Sequence, residues 1–200
     1  MTQNSVIAAF DFDGTLTYRD TLLPFLIYVV GPYQMCRALL LEIPGFIGYL
    51  FGRVSRQDIK EGILKNTIAG MPKEQLMQKG AEFALQVLPQ KLRPEGIKKL
   101  HWHQSQGHRC ILISANLNAY LEFWAKQMGF QDLLCSKLQY DAQNKATGLL
   151  EGKNCRGREK TVRLLDLLGK RKKFTLYAYG DSPGDKELLQ LADYPFYRKF

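Results

Sequence analysis

The sequence predicts an α/β protein: a parallel sheet with helices on both faces, interrupted by one long all-helical insert. Three observations predict it. Short apolar runs alternate with helical segments, the pattern of a sheet whose strands are buried on both sides. Three of those runs lead into polar residues, at Asp11, Ser114 and Asp181. The stretch 18–94 carries helical patterning alone. The chain has 200 residues, which suits one domain carrying an insert. The expected division is a core of 1–17 and 95–200 and a helical cap of 18–94.

The elements follow in order. Val6–Phe10 is a short apolar run and reads as a buried strand, and Asp13-Gly14-Thr15 turns the chain. Thr21–Val30 is apolar nearly all round, and breaks are expected at Gly31-Pro32 and Pro44-Gly45. Ser55 is placed to N-cap a helix over 56–68. Met71-Pro72 opens another helix, which stops before Pro89. Pro94–Gln106 is helical and ends at Gly107. Cys110–Ile113 is a second strand, closed by Ser114, and Leu117–Met128 a helix with Gly129 as its C-cap. Leu133–Leu138 is strand-like, and Tyr140–Leu150, with Asp141-Ala142-Gln143-Asn144, suggests a hairpin. Arg158–Leu168 presents Val162, Leu165 and Leu168 on a helical face. Phe174–Tyr179 is a strand leading to Gly180-Asp181, Lys186–Leu191 a helix and Tyr194–Phe196 a last short strand.

Composition narrows the function classes. Apolar residues make up 46% and charged residues 24%, ordinary values that exclude a disordered or low-complexity chain. The net charge of +9 favours anionic partners without choosing among them. Cys36, Cys110, Cys135 and Cys155 form no C-x-x-C pair, which argues against zinc and for a reducing cytoplasm. Met1–Ser5 is polar and lacks a basic group, so no signal peptide is expected. Leu22–Leu50 approaches the length of a membrane span, but Arg37, Glu42 and the two breaks interrupt it. It reads as helices resting on a membrane at most.

The chemistry gathers at one sheet edge. In open α/β sheets ligands bind beyond the carboxyl ends of the strands, where Asp11, Ser114 and Asp181 should meet. Asp11 and Asp13 face one pocket if the chain curls at Gly14. Paired carboxylates repel unless a cation neutralises them, and a hard divalent ion such as magnesium suits oxygen ligands. One carboxylate can then attack phosphorus while the other moves a proton. Taken singly, each piece has a plainer reading. Asp13-Gly14 serves as a turn, Ser114 as a helix cap, and Asp181-Ser182-Pro183-Gly184 as a loop. Only a shared site explains them together.

Asp11-Phe12-Asp13-Gly14-Thr15 resembles the first motif of the haloacid dehalogenase superfamily in its phosphatase branch. Ile111-Leu112-Ile113-Ser114 is similar to the second motif, Gly157-Arg158-Glu159-Lys160 to the third, and Gly180-Asp181 with Asp185 to the fourth. The resemblance implies a Rossmann-like parallel sheet core flanked by helices, with an inserted helical cap. It implies a Mg2+-dependent phosphomonoester hydrolase working through a phospho-aspartate. Asp11 is then the nucleophile and Asp13 the general acid and base. Ser114 and Ala115 bind the substrate phosphate with Lys160, which also balances the charge of the nucleophile. The metal set implied is Asp11, Asp13 through its backbone carbonyl, Asp181 and Asp185. The insert's position matches the phosphoserine phosphatase-like members. Gly148–Lys160 looks like the subgroup holding bacterial phosphatidylglycerophosphatases. Asp20 stands where phosphoserine phosphatases carry a glutamate, and Gly184 precedes Asp185 where they have asparagine; both departures weaken a phosphoserine assignment.

The cap should set specificity. It is rich in large apolar residues, from Leu22 through Phe51, with Arg37, Arg53 and Arg56 beside them. Apolar surface with arginines suits a phosphorylated lipid and peripheral contact at the inner face of a membrane. The same residues would also serve as the cap's own core. A soluble phosphoserine or small-metabolite phosphatase, and a phospholipid- or nucleic-acid-binding protein without turnover, are the competing readings. Lys170-Arg171-Lys172-Lys173 reads as a solvated basic loop, no nucleic-acid partner is expected, and His101, His103 and His108 receive no role.

Overall fold

The computed structural model describes residues 5–169 and 174–200; the basic run 170–173 lies outside the described residues. The central sheet is built from β1 (Ser5–Phe10), β2 (Arg109–Leu117), β3 (Asp132–Ser136), β6 (Phe174–Gly180) and β7 (Tyr194–Tyr197). Their order is β3-β2-β1-β6-β7, and every pairing is parallel. The architecture is the expected Rossmann-like α/β core flanked by helices. A separate antiparallel hairpin joins β4 (Leu138–Tyr140) to β5 (Ala146–Leu150). Its turn is held by Asp141, whose Oδ1 accepts from Gln143 N and Lys145 N, the local bonding that suits aspartate to turns.

Strand alternation sorts the core into two faces. Ala8, Phe10, Leu112 and Tyr179 point to one side and pack with residues of α1 (Leu22–Leu41), α4 (Lys73–Gln86) and α6 (Asn118–Gln127). Ile7, Ala9, Ile111, Ile113, Leu176 and Ala178 point to the other, against Leu164 of α7 (Arg158–Leu168) and Leu188 of α8 (Lys186–Leu191). On the first face Phe10, Tyr179 and Phe196 stack across three neighbouring strands, with ring centroids 4.6 and 4.7 Å apart. Below them α5 (Pro94–Ser105) lodges His103, which is fully buried. The ring's Nε2 lies 2.8 Å from Tyr179 Oη and its Nδ1 2.7 Å from His108 Nδ1. The histidine left without a role in the sequence reading is thus a polar link in the core.

Helices α1, α2 (Ile43–Leu50), α3 (Arg56–Thr67) and α4 intervene between β1 and α5. The chain leaves and re-enters the core by adjacent crossings. Thr17 bridges Leu92, Tyr18 N donates to Lys91 O (2.9 Å) and Arg93 N donates to Leu16 O (2.8 Å). Phe25, Phe83 and Tyr120 pack as one ring cluster joining α1, α4 and α6. At Gly80 the α4 and α6 backbones come so close that a Cβ would run into the Ala119 carbonyl. Ser55 caps α3 in a reciprocal box with Asp58. From its first two turns the helix is stitched to the core. Gln57 Nε2 donates to Gly152 O (3.1 Å), Asn154 N to Gln57 Oε1 (3.0 Å) and Leu150 N to Glu61 Oε1 (3.2 Å).

The break expected at Gly31-Pro32 is present: Gly31 takes φ 80° and ψ 163°, outside helical geometry, and two helical stretches meet there at a kink within α1. Two local expectations are corrected. Pro44-Gly45 opens a helix rather than breaking one, because Pro44 occupies the first turn of α2, where no N–H is needed. Ser114 lies within β2, at the point where its register with β3 breaks before Leu117. Helix α1 has 20 residues and a mean hydropathy of 1.3, enough by length and composition to cross a membrane, yet it buries Phe25, Leu26, Met35 and Ala38. Its outer side and α2 leave Leu23, Ile27, Tyr33, Leu40, Leu41, Ile43, Phe46, Ile47, Leu50 and Phe51 exposed. No residue of α2 is buried.

Candidate active site

The site opens at the carboxyl edge of β1, β2 and β6. Asp11 directly follows β1, and its N–H donates to Tyr179 O of β6 (3.0 Å). The residue is 6% exposed. Lys160 Nζ donates to Asp11 Oδ1 (2.5 Å) and to Asp185 Oδ1 (2.6 Å), and Thr15 Oγ1 donates to Asp11 Oδ2 (3.2 Å). Lys160 sits in the first turn of α7, behind Gly157 at φ 60°. One buried ammonium therefore bridges two carboxylates, a pairing stable in a low dielectric because both partners remain hydrogen-bonded. Asp185 Oδ2 accepts from Ser182 N (3.0 Å) and Ser182 Oγ (2.8 Å), which locks it behind the lysine.

Protonation follows from these environments. Burial pushes the Asp11 carboxyl up to about 6, while Lys160 pulls it back. Burial opposes the charge on Lys160, yet Asp11 and Asp185 outweigh it and raise its pKa. Burial also opposes ionisation of Asp185, but Lys160 and the Ser182 hydrogen bonds win and hold it low. Asp13 is raised well above the carboxylate range by burial and then by Asp20.

Asp13 stands in its own hydrogen-bonded nest. Its Oδ1 accepts from Thr21 N (3.1 Å) and Thr21 Oγ1 (2.8 Å), and its Oδ2 from Asn116 Nδ2 (2.5 Å). Thr21 Oγ1 also lies 2.9 Å from Tyr120 Oη. Ser114 Oγ accepts from Asn116 N (3.0 Å), so Ser114 and Asn116 stabilise the irregular end of β2. The sequence reading gives Thr15, Thr21 and Asn116 no role in the site. Asn116 was within reach: in a strand, residues 114 and 116 share a face.

Three carboxylates converge. Oxygens of Asp11, Asp181 and Asp185 lie within 4.8 Å of one another. Asp13, included in the expected metal set through its carbonyl, has its side chain turned to Thr21 and Asn116 instead. Gly14, at φ 74°, passes so near Asp181 that any Cβ would strike its carboxylate, which explains why glycine follows Asp13. Among the described residues nothing donates a hydrogen bond to the Asp181 carboxylate, and burial and Asp185 raise its pKa. An all-oxygen donor set with one unsatisfied carboxylate fits a hard divalent cation such as Mg2+.

The cavity above holds about 460 Å³. Its floor is Asp11, Asp13, Ser114, Lys160 and Asp181, and Ala115 stands beside them. Arg19, Arg56, Lys60 and Arg156 also line it, with Leu22, Ile59 and Ile63 as the apolar part. Lys60 was not anticipated. It is 9% exposed, and its Nζ donates to Ala115 O (2.5 Å) and Asn154 Oδ1 (3.2 Å). Burial lowers its pKa to about 8. The signal was a cation on the buried stripe of α3, in line with Leu64 and Thr67.

Known proteins bear on this site. The chain is 32% identical to Protein CicA of Caulobacter vibrioides over 200 residues, covering 100% of this chain and 89% of that protein. A protein of unknown function from Bordetella pertussis Tohama I shares the fold with a TM-score of 0.79 at 23% identity, over 94% of this chain and 87% of that one. A probable phosphoserine phosphatase from Vibrio cholerae aligns with a TM-score of 0.66 at 13% identity, over 94% of this chain and 54% of that one. A phosphoserine phosphatase with bound substrate gives 0.62 at 12% identity, over 95% and 84%. At such identities these structures speak for the fold. The family model of haloacid dehalogenase-like hydrolases matches residues 8–190, a span that runs from β1 to α8 and takes in every carboxylate of the cluster; the chain belongs to the haloacid dehalogenase-like hydrolases.

Proposed function

We propose that the protein is a magnesium-dependent phosphomonoesterase that forms a phospho-aspartate on Asp11, with residues 18–94 as its substrate-selecting cap. The observation that carries the reading is the unequal treatment of two neighbouring acids. Asp11 is held beside Lys160, with Oδ2 accepting from Thr15 at 3.2 Å, and Asp13 is held with its pKa well raised. A carboxylate nucleophile and a carboxyl proton donor need that separation. Asp11 Oδ2 attacks phosphorus and the bond to the alcohol oxygen breaks as Asp13 delivers a proton to it. Asp13 then takes a proton from water, which attacks the phosphorus of the acyl phosphate; the bond to Asp11 breaks and phosphate leaves. Lys160 and Ser114 bind phosphate oxygens, aided by the backbone at Ala115. Asp11, Asp181 and Asp185 hold Mg2+, with the Asp13 carbonyl as a further ligand; the ion supplies charge stabilisation for phosphoryl transfer.

The substrate is a phosphorylated lipid met at an anionic bilayer surface. Exposed apolar side chains on α1 and α2, with Leu50 81% and Phe51 75% exposed, support this reading, as do exposed Arg37 and Arg53 nearby. The protein is then cytoplasmic and peripheral at the inner membrane face. A soluble metabolite such as phosphoserine is the second reading, favoured by the cations that line the cavity. The test is magnesium-dependent phosphate release from phosphatidylglycerol phosphate and lysophosphatidate in vesicles, and from phosphoserine and an aryl phosphate in solution. Asp11→Asn and EDTA are the controls. Selective lipid turnover supports the first reading and a phosphoserine preference the second. Turnover that survives Asp11→Asn overturns the mechanism.

A further inference from the structure

Strand β7 lies at the edge of the sheet, and the segment that follows it reaches back to the carboxylate cluster. Arg198 takes φ 54°, a left-handed conformation that disfavours any residue with a Cβ. Asn144 is the other non-glycine residue at positive φ among those described, and it sits in the hairpin turn, where asparagine is favoured. Arginine has no such local bonding, and strain of this kind persists only where surrounding contacts impose it. Those contacts lead to Asp181. Arg198 N donates to Gly180 O (2.9 Å), one residue beyond the ladder pair Gly180–Tyr197. Its Nε donates to Asp181 O (2.9 Å), and the guanidinium lies over the Tyr197 ring, 5.1 Å from its centroid. Two residues on, Phe200 stacks on Tyr179 (5.9 Å) and presses on Gly96, where a Cβ would stand 3.0 Å from its ring. The segment is thereby pinned on both sides of Lys199.

Asp181 N and Ser182 N both donate to Asp185 Oδ2 (3.3 and 3.0 Å). Those bonds hold the N–H groups of the two peptides flanking the Asp181 Cα, and Arg198 holds the carbonyl of the second. With both planar peptides fixed, the direction of the Asp181 Cβ is fixed. Its carboxylate accepts no hydrogen bond among the described residues, so the backbone alone aims it. We propose that Arg198 is a positioning residue for the divalent cation: its Nε holds the Asp181 carbonyl and thereby sets the Asp181 carboxylate for the ion. The inference rests on the reading of Asp181 as a metal ligand. What matters is the donor at Nε, not the charge of the guanidinium, which is exposed and screened by solvent.

The test is calorimetric titration of Mg2+ into the wild type and three variants, without substrate. Arg198→Gln keeps an N–H donor at the reach of Nε and removes the charge. Arg198→Ala removes the donor and keeps the strained backbone, and Arg198→Gly removes the donor and relieves the strain. The Mg2+ Kd should weaken about ten-fold in Arg198→Ala and Arg198→Gly, the usual worth of a contact that orients a metal ligand, and should stay within about two-fold of wild type in Arg198→Gln. Thermal midpoints without metal separate positioning from stability, because relief of strain should leave Arg198→Gly at or above Arg198→Ala. Three results overturn the proposal: an unchanged Kd in Arg198→Ala and Arg198→Gly, a loss in Arg198→Gln equal to theirs, or tighter Mg2+ binding wherever the charge is removed. So does an affinity that follows the thermal midpoint rather than the donor. If Arg198→Ala does not fold, Arg198→Gly against Arg198→Gln carries the comparison. A wild type that binds no Mg2+ overturns the metal reading and the proposal together, whereas a wild type that binds Mg2+ no better than Arg198→Gly overturns the proposal alone.

Discussion

Protonation of His103 should unfold the protein in acid. The ring is fully buried and ringed by Phe10, Tyr177 and Tyr179, with edge contact to Trp102. Burial, then His108 and Lys99, lowers its pKa from 6.5 to about 4. The unfolded chain takes up the proton near 6.5 while the folded chain refuses it until about 4. Stability is therefore complete above pH 6.5 and falls as pH drops toward 4, the sign that follows when the unfolded state binds more protons. Between pH 7.5 and 4.5 the loss from this group is about 2.5 kcal/mol. That corresponds to roughly 1 M in urea midpoint for a protein of this size. Carboxylates titrate over the same range, so the informative quantity is the difference between wild type and His103→Gln. Gln keeps polar contact with Tyr179 but cannot titrate. Urea unfolding at the two pH values should show the wild type losing about 2.5 kcal/mol more than the variant. Parallel pH dependence in the two proteins would refute the reasoning and leave His103 already charged or able to find water.

Other perturbations have equally direct readouts. Gly80→Ala places a methyl group against the Ala119 carbonyl; urea unfolding should show a loss of about 3 kcal/mol, and a neutral result would mean that α4 and α6 can separate freely. Thr21→Val removes the hydroxyl shared by Asp13, Asn116 and Tyr120; kcat should fall about ten-fold on any phosphomonoester, KM should hold, and Thr21→Ser should restore the rate. An unchanged kcat in Thr21→Val would remove Thr21 from the positioning of Asp13. Millimolar Mg2+ should raise the thermal midpoint of the wild type by mass action, and Asp181→Asn should abolish most of that rise; a full rise in the variant would place the ion elsewhere.

The sheet and its chemical edge were legible because their signals are local. Val6–Phe10 followed by Asp11, and Phe174–Tyr179 followed by Gly180-Asp181, announce a buried strand delivering a carboxylate within a few residues. Lys160 was legible only through its resemblance to a motif, since one lysine in a chain of net charge +9 carries no signal of its own. What stayed hidden depends on distance in sequence. Thr21 meets Asn116, and Lys60 meets Asn154, only because α1 and α3 fold back over the core. Gly31-Pro32, by contrast, was legible as a break, because glycine reaches positive φ and proline cannot extend the preceding hydrogen-bond ladder. His103 was silent because its partners, His108 and Tyr179, come from two separate strand and turn segments.

The paired crossings at Thr17–Leu92 carry a consequence for the order of folding. Strand β1 must find β2 across roughly 100 residues of chain, a loop whose closure sets a large part of the entropic barrier. Once Tyr18 and Arg93 have made their backbone bonds across the bridge, the four helices between them no longer count toward that loop. The effective length falls to about 25 residues and the closure cost by about 1 kcal/mol, several-fold in rate. A chain that knots its insert shut first therefore nucleates its sheet sooner, and a cap that collapses early acts as a folding accelerator for the catalytic half it covers.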